Sequence, residues 1–195
     1  GGGSCYTIDQ IKPIAALCKA KGLKLHLDGA RVFNALIKTG DKAEDYGKYF
    51  DGISVCLSKG LGAPVGSVFL ADKQTIKYAR RIRKVLGGGW RQAGFLAAAG
   101  IYALDHHVDR LSTDHAHAHI LEEALTKCPS VASVLPVETN LILFDTVEPA
   151  ALMLDKLAAH GIKASATDKH RIRFVLHLDV HAEHVEHVVK VLKSL

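Results

Sequence analysis

Cysteine is scarce and scattered: Cys5, Cys18, Cys56 and Cys128 stand far apart, with no CxxC pair. That pattern excludes a zinc knuckle and a disulfide framework, and it fits a reducing cytoplasm. Aromatic residues make up 6% of the chain, and its densest basic stretch holds only Tyr78, not the repeated interleaving a nucleic-acid surface would need. No apolar run approaches the ~18 residues of a membrane helix. Neither nucleic acid nor a membrane is therefore expected as a partner. The chain also lacks internal repeats, and only the N-terminal glycines are of low complexity.

What is present is a core-forming sequence of 195 residues, 48% hydrophobic, enough for one large domain or two small ones. The formal charge is +5, with cations spread along the chain except between Lys77 and Lys84. That cluster reads as the solvated face and C-terminal end of a helix, where positive charge suits the helix dipole. His115, His117 and His119, and again His181, His184 and His187, recur at helical spacing. With no third cysteine or acidic ligand at fixed spacing, they read as polar helix faces, and no metal is expected.

Periodicity predicts an α/β protein. A helix over 8–21 carries Thr7 and Gln10 as a capping box. A strand follows over 23–28, then helical segments over 32–38 and 42–49. The next strand, 53–58, leads into a glycine-rich loop to Gly66, and a return strand over 67–71 ends at Asp72, a helix N-cap. Helices over 73–86 and 91–104 are separated by Gly87-Gly88-Gly89. The texture changes after His107: a helix over 108–127, strands over 131–135 and 140–145, a helix over 150–160, strands over 162–166 and 171–177, and a closing helix over 182–195. This predicts two domains, 1–107 and 108–195, the second being small and α+β.

The chemistry concentrates where two predicted strands end. Lys59 follows the apolar run Ile53–Ser58 directly, among Gly60, Gly62 and Gly66, where a backbone or ligand can approach closely. A desolvated lysine has a lowered pKa and a free lone pair, so Lys59 is a candidate nucleophile toward a carbonyl. A plain lysine at a strand end is the simpler alternative. Asp28 closes the preceding strand, and strand C-terminal ends are where open α/β sheets hold ligands. A carboxylate and an amine on neighbouring strand ends can hold one flat heteroaromatic ring, or they can pair with each other.

Four blocks carry a resemblance: HLDGARVFNA (26–35), SVCLSKGLGAPVGSVF (54–69), GGGWRQAG (87–94) and RFVLHLDV (173–180). In this order they resemble the C-terminal portion of low-specificity L-threonine aldolases, which are β-eliminating lyases of the aspartate aminotransferase fold. The resemblance implies pyridoxal 5'-phosphate as cofactor, and a partial large domain of pyridoxal-phosphate fold type I followed by the small domain. It implies Lys59 as the Schiff-base lysine and Asp28 as the carboxylate on the pyridine nitrogen. Arg31 would lie close to the ring and the substrate carboxylate, Arg91 at the cofactor phosphate, and Arg173 on the substrate carboxylate. His177 would lie near the centre, while His26 would orient or pack. Trp90 and Leu176 depart from the methionine and threonine usual in relatives, without removing a group the chemistry needs.

The implied reaction is cleavage of a β-hydroxy-α-amino acid, L-threonine or L-allo-threonine, to glycine and an aldehyde. A homo-oligomer, dimer or tetramer, is implied with it. Family members also carry a long preceding segment that supplies phosphate-binding residues and a histidine stacked on the ring, so this chain is expected to begin in mid-fold. Two alternatives stay open: another pyridoxal-phosphate β-eliminating lyase, or a non-catalytic fragment.

Overall fold

A helix preceded by a satisfied N-terminus opens the fold: α1 (Ile8–Ala20) has the Thr7 side chain accepting from the Gln10 N–H, with the Gln10 side chain returning the bond to the Thr7 backbone. In this computed structural model, which describes residues 2–195, two compact units are resolved: Tyr6–Asp109, and Arg110–Leu195 together with residues 2–5. Gly1 of the glycine-rich start lies outside the described residues.

In the first unit, α1 is followed by β1 (His26–Gly29), α2 (Val32–Thr39), α3 (Ala43–Gly47), β2 (Gly52–Cys56), β3 (Ser67–Ala71), α4 (Lys73–Val85) and α5 (Gly94–His106). The sheet order is β1-β2-β3, with β1 and β2 parallel and β3 antiparallel to β2. Parallel pairing of β1 and β2 needs a crossover, which α2 and α3 provide. Ile53 and Val55 alternate onto one face and pack with Ile11 and Tyr46. Their neighbours Ser54 and Cys56 take the other face and are only half-buried. Cys56, although it lies in an apolar run, is thus not a core residue; it accepts a contact from the Ser67 hydroxyl at 3.4 Å. A strand with period two cannot bury both faces unless both are covered. At the start of α4, the Asp72 carboxylate accepts from the Gln74 and Thr75 N–H groups; those bonds and the Thr75 hydroxyl hold it below the usual carboxylate range.

The second unit contains α6 (Leu111–Thr126), β4 (Val131–Val134), β5 (Leu141–Thr146), α7 (Ala150–Ala159), β6 (Ser165–Ala166), β7 (Arg171–Val175) and α8 (Ala182–Leu192). Its sheet runs β4-β5-β7-β6 and is antiparallel throughout. Ile142, Phe144, Ile172 and Phe174 form the inner face against helix residues such as Leu125, Leu157 and Leu192. The Phe144 and Phe174 rings meet edge to face at 5.0 Å, an arrangement the ring quadrupoles favour. Only two residues, Ser165 and Ala166, survive of the strand expected over 162–166.

Residues 2–5 lie on this second sheet. The Thr139 hydroxyl donates to the Gly3 carbonyl at 2.8 Å, and the Cys5 N–H donates to Glu138 Oε2 at 2.9 Å. Gly3 has φ +87°, and a Cβ there would stand 2.8 Å from Leu141 Cβ. Conformation and space together demand glycine at this position.

Candidate active site

The β1–β2 register aligns Asp28 with Ser54 and Gly29 with Val55. Lys59 comes three residues after the end of β2. Because the strands are parallel, Asp28 and Lys59 both lie beyond or at C-terminal strand ends on the same edge of the sheet, the position at which such sheets bind ligands. No ion pair joins them, and among the described residues neither forms a salt bridge with any other group; both side chains are exposed. Within this chain Lys59 is exposed, not desolvated.

That loop has a defined backbone. The Gly62 N–H donates to the Lys59 carbonyl at 2.9 Å, Ala63 to Leu57 at 3.0 Å, and Leu57 to Gly66 at 3.0 Å. Gly62 and Gly66 take φ values of 71° and 114°, which glycine adopts without a Cβ clash. Gly60 needs no such conformation.

The glycine of the DGAR motif has a different reason. Gly29 is buried and its φ is not positive, yet an added Cβ would stand 2.6 Å from the Ser54 carbonyl oxygen. The missing side chain lets β1 approach β2 closely, which sets the position of Asp28. Arg31, half-buried, occupies the N-cap of α2, its carbonyl accepting from the Asn34 and Ala35 N–H groups. Arg31 thus follows Asp28 by one tight turn and shares the same edge.

Next to Asp28 on its own sheet face lies His26, expected to orient or pack, together with Ser54 and Phe69, which the sequence alone did not single out. His26 Nε2 and Ser54 Oγ are 3.2 Å apart, and the imidazole lies 6.0 Å from the Phe69 ring. Gly52 makes this possible: a Cβ there would stand 3.1 Å from the Phe69 ring and 3.4 Å from His26 Nδ1. The two rings therefore meet over the central strand, one rung behind Asp28. Period-two alternation hinted at this face, but only the register places Ser54 and Phe69 on it.

The arginines divide. Arg91 lies exposed in the segment before α5, three residues short of the helix start expected to carry it. On β7, Arg171 is engaged: its Nε and Nη2 donate to the two oxygens of Asp145 at 2.8 Å each, and Ser133 Oγ adds a third bond at 3.1 Å. These bonds hold the Asp145 carboxyl below its usual range. Arg173 is exposed on the same face and forms no salt bridge among the described residues. His177 lies 3.6 Å from Asp179 in an exposed pair. No three metal-binding side chains converge among the described residues; His119 bonds Glu122, and His187 bonds the His160 carbonyl.

This arrangement belongs to a known class of structures. The chain superimposes on a putative L-allo-threonine aldolase from Listeria monocytogenes EGD-E with a TM-score of 0.81 at 19% identity, covering 99% of this chain and 58% of that one. It matches an ornithine aminotransferase from Toxoplasma gondii with a TM-score of 0.66 at 19% identity, covering 95% and 45%. The fold is therefore the aspartate aminotransferase-like fold, pyridoxal-phosphate fold type I, here as a partial large domain with the small α+β unit.

Within that class the sequence is specific. The chain belongs to the β-eliminating lyase family, whose model matches residues 1–149. It is 40% identical to a probable low-specificity L-threonine aldolase 2 of Arabidopsis thaliana over all of this chain and 56% of that protein. It is 39% identical to the low specificity L-threonine aldolase of Escherichia coli K12, over 95% of this chain and 55% of that protein. The chain spans about half the length of the curated relatives it matches.

Proposed function

We propose that the protein carrying this chain is a pyridoxal 5'-phosphate-dependent lyase that cleaves L-threonine or L-allo-threonine to glycine and an aldehyde. The observation that carries the reading is the pair Asp28 and Lys59 on one sheet edge, uncommitted to each other or to any other charged group among the described residues. A carboxylate that accepts a proton-bearing ring nitrogen and an amine that attacks a carbonyl are the donor set this cofactor requires. When bound, the cofactor supplies a ring that takes up the electron pair of the substrate's breaking Cα–Cβ bond.

The residues of this chain have the following roles in the proposal. Asp28 holds the proton at the ring nitrogen. Lys59 binds the cofactor through its amine and returns a proton to the substrate's α-carbon. Arg31 grips a carboxylate in bidentate fashion, as guanidinium geometry favours. Arg91 binds phosphate, and Arg173 binds the substrate carboxylate; the commitment of Arg171 to Asp145 supports the choice of Arg173 between the two. The division expected at 107/108 falls two residues before the boundary between the two units, so residues 6–109 form the C-terminal part of the large domain, and 110–195 with residues 2–5 the small domain. A homo-oligomer, dimer or tetramer, and a cytoplasmic setting complete the proposal. The setting is supported by four cysteines carried as thiols rather than disulfides; among the described residues no helix is long and apolar enough to cross a membrane.

Borohydride reduction of the cofactor-loaded protein, followed by peptide mass mapping, tests the assignment. Label on Lys59 and glycine as a product of threonine are expected. Label on another lysine, or pyruvate in place of glycine, would refute it.

A further inference from the structure

Two residues before Lys59 and two residues after it, the chain touches the same helix. On the near side, Leu57 packs on α5 at Gly100, where an added Cβ would stand 3.0 Å from Leu57 Cδ1. On the far side, the Leu61 carbonyl oxygen lies 2.6 Å from Nδ1 of His107, the C-cap of α5. A carbonyl oxygen can only accept, so Nδ1 carries the hydrogen. Gly100, Ala103 and His107 are spaced i, i+3, i+7 and lie along one helix face. That face is closed: Gly100 is buried, and Ala103 and Leu61 are 1% and 3% exposed.

The imidazole is itself braced. Tyr102 meets its edge at 5.5 Å and 85°, and the His107 N–H donates to the Ala103 carbonyl at 2.9 Å. From these contacts we infer that α5 is the positioning element for Lys59, with Gly100 seating the incoming strand and His107 clamping the outgoing loop. The inference rests on Lys59 being the cofactor lysine. Its physical content is that a long, flexible lysine side chain is aimed by fixing its backbone on both sides. Preorganisation of this kind removes conformational freedom before the cofactor arrives.

The test compares His107→Phe, which keeps the ring but loses the donor, with His107→Asn, which keeps an N–H donor at similar reach. Hydrogen exchange is read at the Gly62 and Ala63 amides without cofactor, and cofactor affinity is read by titration with pyridoxal phosphate. His107→Phe should speed exchange at these two amides and weaken cofactor binding, each about five- to tenfold, as expected for losing one net hydrogen bond. His107→Asn should restore both, and Gly100→Val should mimic the Phe variant.

Unchanged exchange in His107→Phe, no rescue by Asn, or an equal rise at the Ile53 and Val55 amides would overturn the inference. The exchange measurement separates it from the functional reading. If Lys59 is not the cofactor lysine, borohydride labelling fails while the local exchange effect persists.

Discussion

Replacing Gly29 by alanine tests the reason for the glycine in the motif that delivers Asp28. The added Cβ would lie 2.6 Å from Ser54 O, 3.3 Å from Val32 Cβ and 3.5 Å from Ile53 Cγ2. A carbon–oxygen contact relaxes to about 3.3 Å, so the deficit is about 0.7 Å. The obstacle is a backbone oxygen of the central strand, which no rotamer change can move. The β1–β2 pairing must open instead. Inserting a methylene into a packed site costs ~1–3 kcal/mol, and a rigid obstacle places this case at the upper end, about 2–3 kcal/mol. For a unit of this size that lowers the melting temperature by about 10–20 °C. Gly94→Ala is the control: it lies in the first turn of α5 with nothing within 4 Å of a new Cβ, so it should be neutral or stabilise by up to ~1 kcal/mol. Calorimetry of both variants, with pyridoxal phosphate titration, reads stability and the placement of Asp28 together. Equal melting of Gly29→Ala and wild type, with equal cofactor affinity, would refute the close-approach argument.

Two further predictions concern the second unit. Phe144→Ala removes a fully buried ring that packs on Phe174 and should cost about 3–5 kcal/mol, read as a lower denaturation midpoint in urea. Asp145 has a lowered folded-state pKa from the bidentate Arg171 and from Ser133. Its contribution is therefore fully present above the unfolded carboxylate pKa near 3.9 and is lost as pH falls through the lower folded value. Asp145→Asn should narrow the stability difference between neutral and acid pH in a melting series; an unchanged difference would remove the pair from the acid response.

Much of the site was readable in one dimension. Capping at Thr7 and Asp72 depends on residues within three positions, and strand-to-loop transitions after Asp28 and before Lys59 follow from local alternation and glycine spacing. The four motif blocks identified the family by the same local means. Helix boundaries shifted by a few residues, as at α5, where Arg91 fell outside, because frayed ends depend on what they pack against.

The sequence by itself determined which residue types stand at the strand ends, and hence the chemistry available there. Tertiary structure decided which of them are free to perform it. Arg171 and Arg173 are equivalent in sequence, and only cross-strand register gives one of them Asp145. Cys56 and Lys59 sit in or beside an apolar run, yet exposure depended on which sheet face the helices cover. Gly100 and His107 flank Lys59 only through a helix that starts at Gly94, well beyond it in the chain, and residues 2–5 belong with a sheet more than a hundred residues away in the chain. Local periodicity reports on neighbours within a few residues; packing and hydrogen-bond competition over such separations are properties of the folded chain alone.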